Sequence, residues 1–363
     1  MTVNPGNTST KVAVVQVCED DDDICSEIIS ERTYRHKDSQ MDHFENVLDQ
    51  LSFRLDVIWS FLCESQTEDG GLDAVAGRGG LARPVPGGTY PTCQVLLDDL
   101  RRGVQGEHPA NLGGLLAHEV AKRLALPSFI VDPVSVDELT EKARISGLPG
   151  IERRSLWHAL NCRAAARNAA QQVDKSLDEA NLVVVHLGSG ITVVAFEQGR
   201  AVDLTDPTAE GPFGPDRAGG LPATGVVDLA FSEEYSHAEL RKIMMGKGGI
   251  YAYLGTRDMP QVVRQAEDGI KKARLFLDAM FYQTSKTVGS MAAVLKGSVD
   301  AVVLTGGMAN SEHITESISG SVNWIAPVVV LPGEDELKAL AEGVWRVLSG
   351  REKAAEYPYG MSE

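Results

Sequence analysis

Residues 181–206, NLVVVHLGSGITVVAFEQGRAVDLTD, constrain the fold more than any other part of the chain. They read as strand, tight turn, strand, turn, strand. About half a chain earlier, NPGNTSTKVAVVQV (residues 4–17) does something similar. There a glycine-containing polar turn feeds an apolar, β-branched strand over Val12–Val17, as HLGSGITVVA does at 186–195. Two α/β units that each open with an antiparallel hairpin would produce this echo. Coincidence would produce it too, because glycine turns between strands are common.

The length gives a separate prior: 363 residues exceed what one core usually holds, so about two domains are expected. Between the echoes, Ser39 reads as the cap of an amphipathic helix carrying Phe44, Val47, Leu48, Leu51, Leu55, Ile58 and Leu62. Strands follow near Leu72–Ala76 and at SFIVD (128–132), with helix between them. Alanine-rich helix is expected from Arg153 to Ser176, and a long helical stretch over 261–295. DAVVLTGGMANSE (300–312) reads as buried strand, glycine turn and helix start, and residues 327–348 as strand, loop and helix. The acidic run Glu19–Asp23 reads as a solvated turn between strands.

A net charge of −17 and the lack of a basic stripe argue against a nucleic-acid partner. Five widely spaced cysteines with no C-x-x-C suggest free thiols in a reducing cytoplasm. No signal peptide or bilayer-length apolar run is apparent, so a cytoplasmic protein is expected. No Walker loop, no dinucleotide fingerprint after a strand and no H-E-x-x-H occurs.

Three polar glycine turns remain as anion sites: Asn4, Gly6, Asn7, Thr8, Ser9, Thr10 and Lys11; then Gly188, Ser189 and Gly190 after His186; then Thr305, Gly306, Gly307, Met308 and Ala309. Glycine admits a phosphate close to the backbone amides, and hydroxyls add donors. Arg78 in GRGG and Arg217 in GPFGPDRAGG sit on tightly turned loops suited to bidentate capture of carboxylate or phosphate. Asp132 ends a strand where α/β folds place ligands. Glu334, Asp335 and Glu336 precede the last helix, where the dipole alone favours acid residues and Mg²⁺ is a second option.

Taken together, NPGNTSTK, GRGGLARPVPGGTY, IVDPVSVDEL, HLGSGI, EGPFGPDRAGGLP, YLGT and LTGGMANSE resemble butyrate kinases, of the acetate and propionate kinase group within the actin/hexokinase/heat-shock-ATPase superfamily. The resemblance implies an α/β chain of two duplicated ribonuclease-H-like domains with an interdomain nucleotide cleft. A C-terminal helix, about 335–363, returns to the first domain (1–150), and 151–334 forms the nucleotide-binding second domain. It implies reversible phosphoryl transfer from ATP to a short-chain carboxylate, giving ADP and acyl phosphate, with Mg²⁺, in a homo-oligomer. Arg78 matches a substrate-side arginine, Arg217 the second-domain arginine, and His186 the histidine opening the phosphate loop. Asn4, Asp132, Asp335 and Glu336 match groups near the metal, and Thr305–Ala309 the adenosine-side turn. The chain departs from the usual pattern at Asn7, where serine is common, at Ser189, and in having three residues before Asn4. A chaperone-like ATP switch would need a partner-binding module, and a sugar kinase an aspartate base.

Overall fold

The computed structural model describes residues 1–20, 23–65, 67 and 71–358. Asp21 and Asp22 of the acidic run, and the last five residues of the expected 335–363 segment, lie outside the described residues. The chain divides into two compact units, Met1–Asp137 with Asp335–Glu363, and Glu138–Glu334. The boundary therefore falls at 137/138, not at 150. Residues 138–150 belong to the second unit because the Thr140 amide donates to the Val202 carbonyl at 3.1 Å. Glu138 also accepts the Ala201 amide and pairs with Arg163.

In the first unit six strands form one sheet: β1 (Thr2–Pro5), β2 (Ser9–Asp20), β3 (Asp23–Arg35), β4 (Val75–Arg78), β5 (Thr89–Pro91) and β6 (Ser128–Val131). Their order is β3-β2-β1-β4-β6-β5. The hairpins β1–β2 and β2–β3 are antiparallel, whereas β1–β4 and β4–β6 are parallel. Although β1 has four residues, all are buried and it is hydrogen-bonded on both edges, which anchors Asn4 opposite Lys11. The helix Asn111–Leu124 lies against β4 at a glycine contact. A Cβ on Gly77 would stand 2.0 Å from the Gly113 carbonyl oxygen, and one on Gly113 would stand 2.1 Å from the Arg78 carbonyl oxygen. This close approach fixes the end of β4, from which Arg78 projects.

The helix expected to start at Ser39 is interrupted. A short helix Asp38–Met41 is followed by a 3₁₀ turn Val47–Gln50 and then the helix Leu51–Ser65. Asp49 accepts the Asn46 amide at 3.0 Å and restarts the chain there. The last helix, Glu336–Leu348, belongs to this unit, with the Gly343 carbonyl accepting from the Thr89 hydroxyl at 3.1 Å.

The second unit has β7 (Asn181–Leu187), β8 (Ile191–Glu197), β9 (Arg200–Leu204), β10 (Ala301–Gly306) and β11 (Val328–Pro332). They run in the order β11-β10-β7-β8-β9. β7–β8 and β8–β9 are antiparallel; β7–β10 and β10–β11 are parallel. Leu182 to Leu187 are all buried, as expected of a central strand covered on both faces. Each such aliphatic side chain contributes about 1.5–3 kcal/mol by burial. Helix Lys271–Val294 covers one face with Leu277, Met280, Phe281 and Val288. The expected stretch 261–295 is two helices, Met259–Glu267 and Lys271–Val294, because Gly269 turns the chain at φ +83°.

Numbered within each unit, both sheets run third–second–first–fourth–fifth strand, with β5 added at one edge of the first. That is the ribonuclease-H-like order, twice, as in actin-like ATPases. The two glycine turns noticed in the sequence occupy the same place, between first and second strands.

Candidate active site

The β1–β2 turn has its carbonyls inside and two of its amides outside. The Gly6 amide closes the hairpin on the Ser9 carbonyl at 2.8 Å. Arg54 donates to the carbonyls of Gly6, Asn7 and Ser9, and the His36 amide donates to that of Thr8. Among the described residues the amides of Asn7 and Thr8 have no acceptor, and both residues are exposed. This is the geometry of an anion nest. Ser9 and Lys11 are partly exposed, but Thr10 is fully buried. Its hydroxyl lies 2.8 Å from His36 Nε2 and accepts from Arg54 at 3.0 Å, so it braces the turn from within. Burial, reinforced by the Arg54 charge, holds the His36 pKa below its ordinary value. A neutral ring leaves Nε2 able to accept the Thr10 proton.

Asn4, Arg78 and Glu336 meet at the ends of β1, β4 and the start of the last helix. Glu336 Oε2 accepts from Asn4 Nδ2 and, at 3.1 Å, from Arg78 Nη1. Arg78 Nη1 also lies 3.4 Å from Asn4 Oδ1. Arg78 Nε is buried without a partner, and no bond to Nη2 occurs among the described residues. The donors of the Nε–Nη2 edge are therefore unused, although Nε is buried, and an edge of that kind matches a carboxylate in bidentate fashion. Glu336 is 5% exposed, whereas Asp335 is exposed. Of the two acidic residues proposed from the sequence, Glu336 is the one joined to Asn4 and Arg78.

Asp132 directly follows β6 and is 3% exposed, with φ +39°, a conformation that costs a non-glycine residue about 1–3 kcal/mol. Reciprocal bonds hold it: Oδ1 accepts the Gly88 amide at 2.8 Å, and its own amide donates to the Gly88 carbonyl at 2.9 Å. The PGG stretch at 86–88 thus positions this carboxylate. Oxygen donors from Asn4, Asp132, Asp335 and Glu336 suit a hard cation, and Glu336 Oε1 has no partner among the described residues. Among those residues no three His, Cys, Asp or Glu side chains converge. Mg²⁺ does not require three, since it takes one or two carboxylates and completes its shell with water and phosphate.

In the second unit, His186 is 1% exposed. Its Nδ1 lies 2.7 Å from Asn161 Oδ1, while Asn161 Nδ2 donates to the Gly333 carbonyl at 3.4 Å. That orientation places the His186 proton on Nδ1 and the lone pair of the neutral ring on Nε2. Glu334 Oε1 lies 3.3 Å from Nε2 but off the hydrogen-bond direction, so Nε2 has no hydrogen-bond partner. A Cβ at Gly188 would stand 2.6 Å from it. His158, at the start of helix Ala159–Gln172, stacks on His186 with centroids 3.9 Å apart and planes at 15°. It bonds Thr192 Oγ1 at 3.0 Å. Sequence reading passed over His158, since only the strand pairing brings it beside His186.

Arg217 reaches the β7–β8 turn. A Cβ on Gly190 would be 3.2 Å from both its Cδ and its Cζ. The guanidinium is partly buried and makes no side-chain hydrogen bond or ion pair among the described residues. Its neighbour Asp216 pairs with Arg257 at 3.2 Å; burial raises the Asp216 pKa against the pull of both arginines.

A cleft of about 660 Å³ in this unit is lined by Gly188, Ser189, Gly307 and Met308. Those four were expected; Gly190, Thr305 and Gly306 do not line it. Thr305 is buried with its hydroxyl 3.3 Å from the Gly333 carbonyl, and Gly306 exchanges backbone bonds with Gly333. The cleft adds Pro215, Asp216, Arg257, Asp258, Met259, Pro260, Val263, Asn310, Ser311, Ile314 and Glu334. Apolar walls with a few polar groups at the rim suit a flat heterocycle bearing polar substituents. The Asp-Met-Pro run at 258–260 was the available signal: Asp258 caps the helix by accepting the Gln261 amide at 3.0 Å.

Comparison with known proteins places the chain in a family. The sequence pattern of the acetokinase family matches residues 150–326. Butyrate kinase 1 of Clostridium acetobutylicum is 46% identical over 356 residues, covering 98% of both chains. A probable butyrate kinase of Listeria monocytogenes serotype 4b is 46% identical over 358 residues, covering 98% of this chain and 99% of its own. Among solved structures, Porphyromonas gingivalis acetate kinase superposes with a TM-score of 0.75 at 17% identity, covering 95% of this chain and 98% of that one. A propionate kinase of Francisella tularensis gives 0.71 at 17% identity, covering 94% and 97%. The solved structures support the fold, and the full-length relatives support the family: this chain belongs to the acetokinase family.

Proposed function

We propose that the protein transfers the γ-phosphoryl group of ATP to the carboxylate of a short-chain acid, butyrate or a straight or branched C3–C5 analogue, reversibly forming acyl phosphate and ADP. A carboxylate oxygen forms a bond to the γ-phosphorus as the bridging oxygen leaves with ADP. Because a carboxylate is already an anion at neutral pH, no general base is needed; charge neutralisation and alignment supply the catalysis. The observation that carries the reading is Arg217, partly buried, with no side-chain hydrogen bond or ion pair among the described residues, and held against Gly190 of the turn that His186 opens. The names of the relatives, a butyrate kinase and a probable butyrate kinase, support it.

Each unit contributes its own groups. In the first, the unpartnered Nε–Nη2 edge of Arg78 holds the acid, and the free amides of Asn7 and Thr8 bind phosphate oxygens. In the second, Arg217 stabilises the migrating phosphoryl and the 660 Å³ cleft takes the adenosine. His186, buried at the start of the same turn with its Nε2 unpartnered, lies on the phosphoryl side with Arg217. Glu336, Asp132 and Asn4 would hold Mg²⁺, directly or through water, and the ion would neutralise phosphate charge. We place the reaction in the cytoplasm; no described helix is long and apolar enough to cross a membrane.

Trapping acyl phosphate with hydroxylamine, in Mg-ATP, across acetate to valerate and their branched isomers tests this reading. One methylene changes kcat/KM by about 10–200-fold in such pockets, so a maximum among the C3–C5 acids is expected. No hydroxamate with any acid would overturn the assignment.

A further inference from the structure

We propose that Arg54 is a positioning residue for the phosphate-binding β1–β2 turn, and that the phosphates of the bound nucleotide are the counter-ion of its buried charge. The proposal rests on reading that turn as a phosphate site.

Arg54 lies on the helix Leu51–Ser65 and is 0% exposed. Nη1 donates to the Ser9 carbonyl at 2.7 Å and the Thr10 hydroxyl at 3.0 Å. Nη2 donates to the carbonyls of Gly6 at 2.8 Å and Asn7 at 3.3 Å. Gln50 Oε1 accepts from Nε at 3.1 Å and Nη2 at 2.9 Å. The guanidinium is thus satisfied as a donor by neutral oxygens alone; no carboxylate pairs with it among the described residues. Burial lowers its pKa to about 10, which leaves it charged at neutral pH.

Two consequences follow from elementary electrostatics. A buried charge without a counter-ion is costly, and folds keep one where something offsets it. Three of the four turn carbonyls from Gly6 to Ser9 point at this cation, so the peptide dipoles are turned with their N–H ends outward. The positive charge behind the turn and the free amides of Asn7 and Thr8 in front of it add in the same direction. An anion on the outer face meets both.

Calorimetric titration of the full-length protein with ADP tests the idea, using wild type, Arg54→Met and Arg54→Lys. Methionine fills the space without charge and is expected to weaken ADP binding about tenfold or more, one charge-assisted interaction. Lysine keeps the charge but loses the fork, so its loss is intermediate. In initial rates, KM for ATP should rise while KM for the acid stays within about threefold, a split that general unfolding would not produce. Guanidinium ion should partly restore ADP affinity to Arg54→Ala. A cooperatively melting Arg54→Met protein that binds ADP within about twofold of wild type overturns the proposal. Should the methionine variant fail to melt cooperatively, the lysine variant decides: about threefold or more weakening supports it and less overturns it. A wild type that binds ADP and makes acyl phosphate beside indifferent Arg54 variants defeats this inference alone. A wild type that does neither defeats the proposed function.

Discussion

At the residue scale, Arg217 and Arg78 differ in what surrounds them, and their variants should differ accordingly. Arg217 makes no side-chain hydrogen bond or ion pair among the described residues and acts on Asp216 only at longer range, beside the Arg257 pair, so little of the fold depends on its charge. Arg217→Ala is expected to lower kcat by about 10²–10³-fold, the usual effect of removing one transition-state donor. Its stability should move by less than about 0.5 kcal/mol; steady-state rates and a urea melt check both. Arg78 is tied to Glu336 and Asn4 by one nitrogen and keeps the donors of one edge unused. Arg78→Lys retains a charge but loses that edge, so KM for the acid should rise more than KM for ATP when each is varied at saturation of the other. His36 offers a pH test. Its pKa is lowered in the folded state by burial and by Arg54, so the unfolded chain takes up the proton first, near pH 6.5. The stability it contributes is complete above that value and is lost as pH falls toward the folded pKa. Urea midpoints at pH 7.5 and 5.5 should therefore diverge more for wild type than for His36→Asn; equal divergence would refute the role given to the neutral ring.

The element scale is set by the contact between the helix Asn111–Leu124 and β4. Gly113→Ala places a methyl 2.1 Å from the Arg78 carbonyl oxygen, and backbone must shift to admit it. Overpacking of this kind costs about 1–3 kcal/mol and moves the base of Arg78. A lower urea midpoint together with a raised KM for the acid is expected. Elements were legible in the sequence where local pattern decided them, as in the apolar strand Leu182–Leu187 and the glycine turn that follows it. They were less so where pairing decided. Thr8 and Thr10 are the same letter, yet one is exposed in the turn and the other is a buried brace. Only the β1–β2 register tells them apart. Arg54 falls among the apolar positions of its helix, three after Leu51 and four before Ile58, but nothing local shows that three turn carbonyls lie over it. The restart of the helix at Asn46 and the break at Gly269 were both written in residues that cap or turn a chain, and the long apolar periodicity outweighed them.

For the whole molecule, the strand order repeated in both units explains the echo between residues 4–17 and 181–206: the same turn sits between first and second strands each time. With a net charge of −17, the surface as a whole repels ATP and carboxylates, so binding must come from local cations and amides; in the proposed function these are Arg78, Arg217 and the amides of Asn7 and Thr8, with Arg54 behind them. The 137/138 boundary was not legible because it depends on Thr140 and Glu138 bonding to β9 and its neighbours, far along the chain. The central claim, that a carboxylate oxygen accepts the phosphoryl group, is tested most directly by isotope transfer. Butyrate labelled with ¹⁸O at both oxygens is incubated with Mg-ATP and hydroxylamine, and the released phosphate is read by ³¹P NMR. Attack by the carboxylate puts its oxygen in the P–O bridge, and hydroxylamine then cleaves at the acyl carbon. The account predicts hydroxamate together with phosphate carrying a single ¹⁸O; phosphate free of label would contradict it.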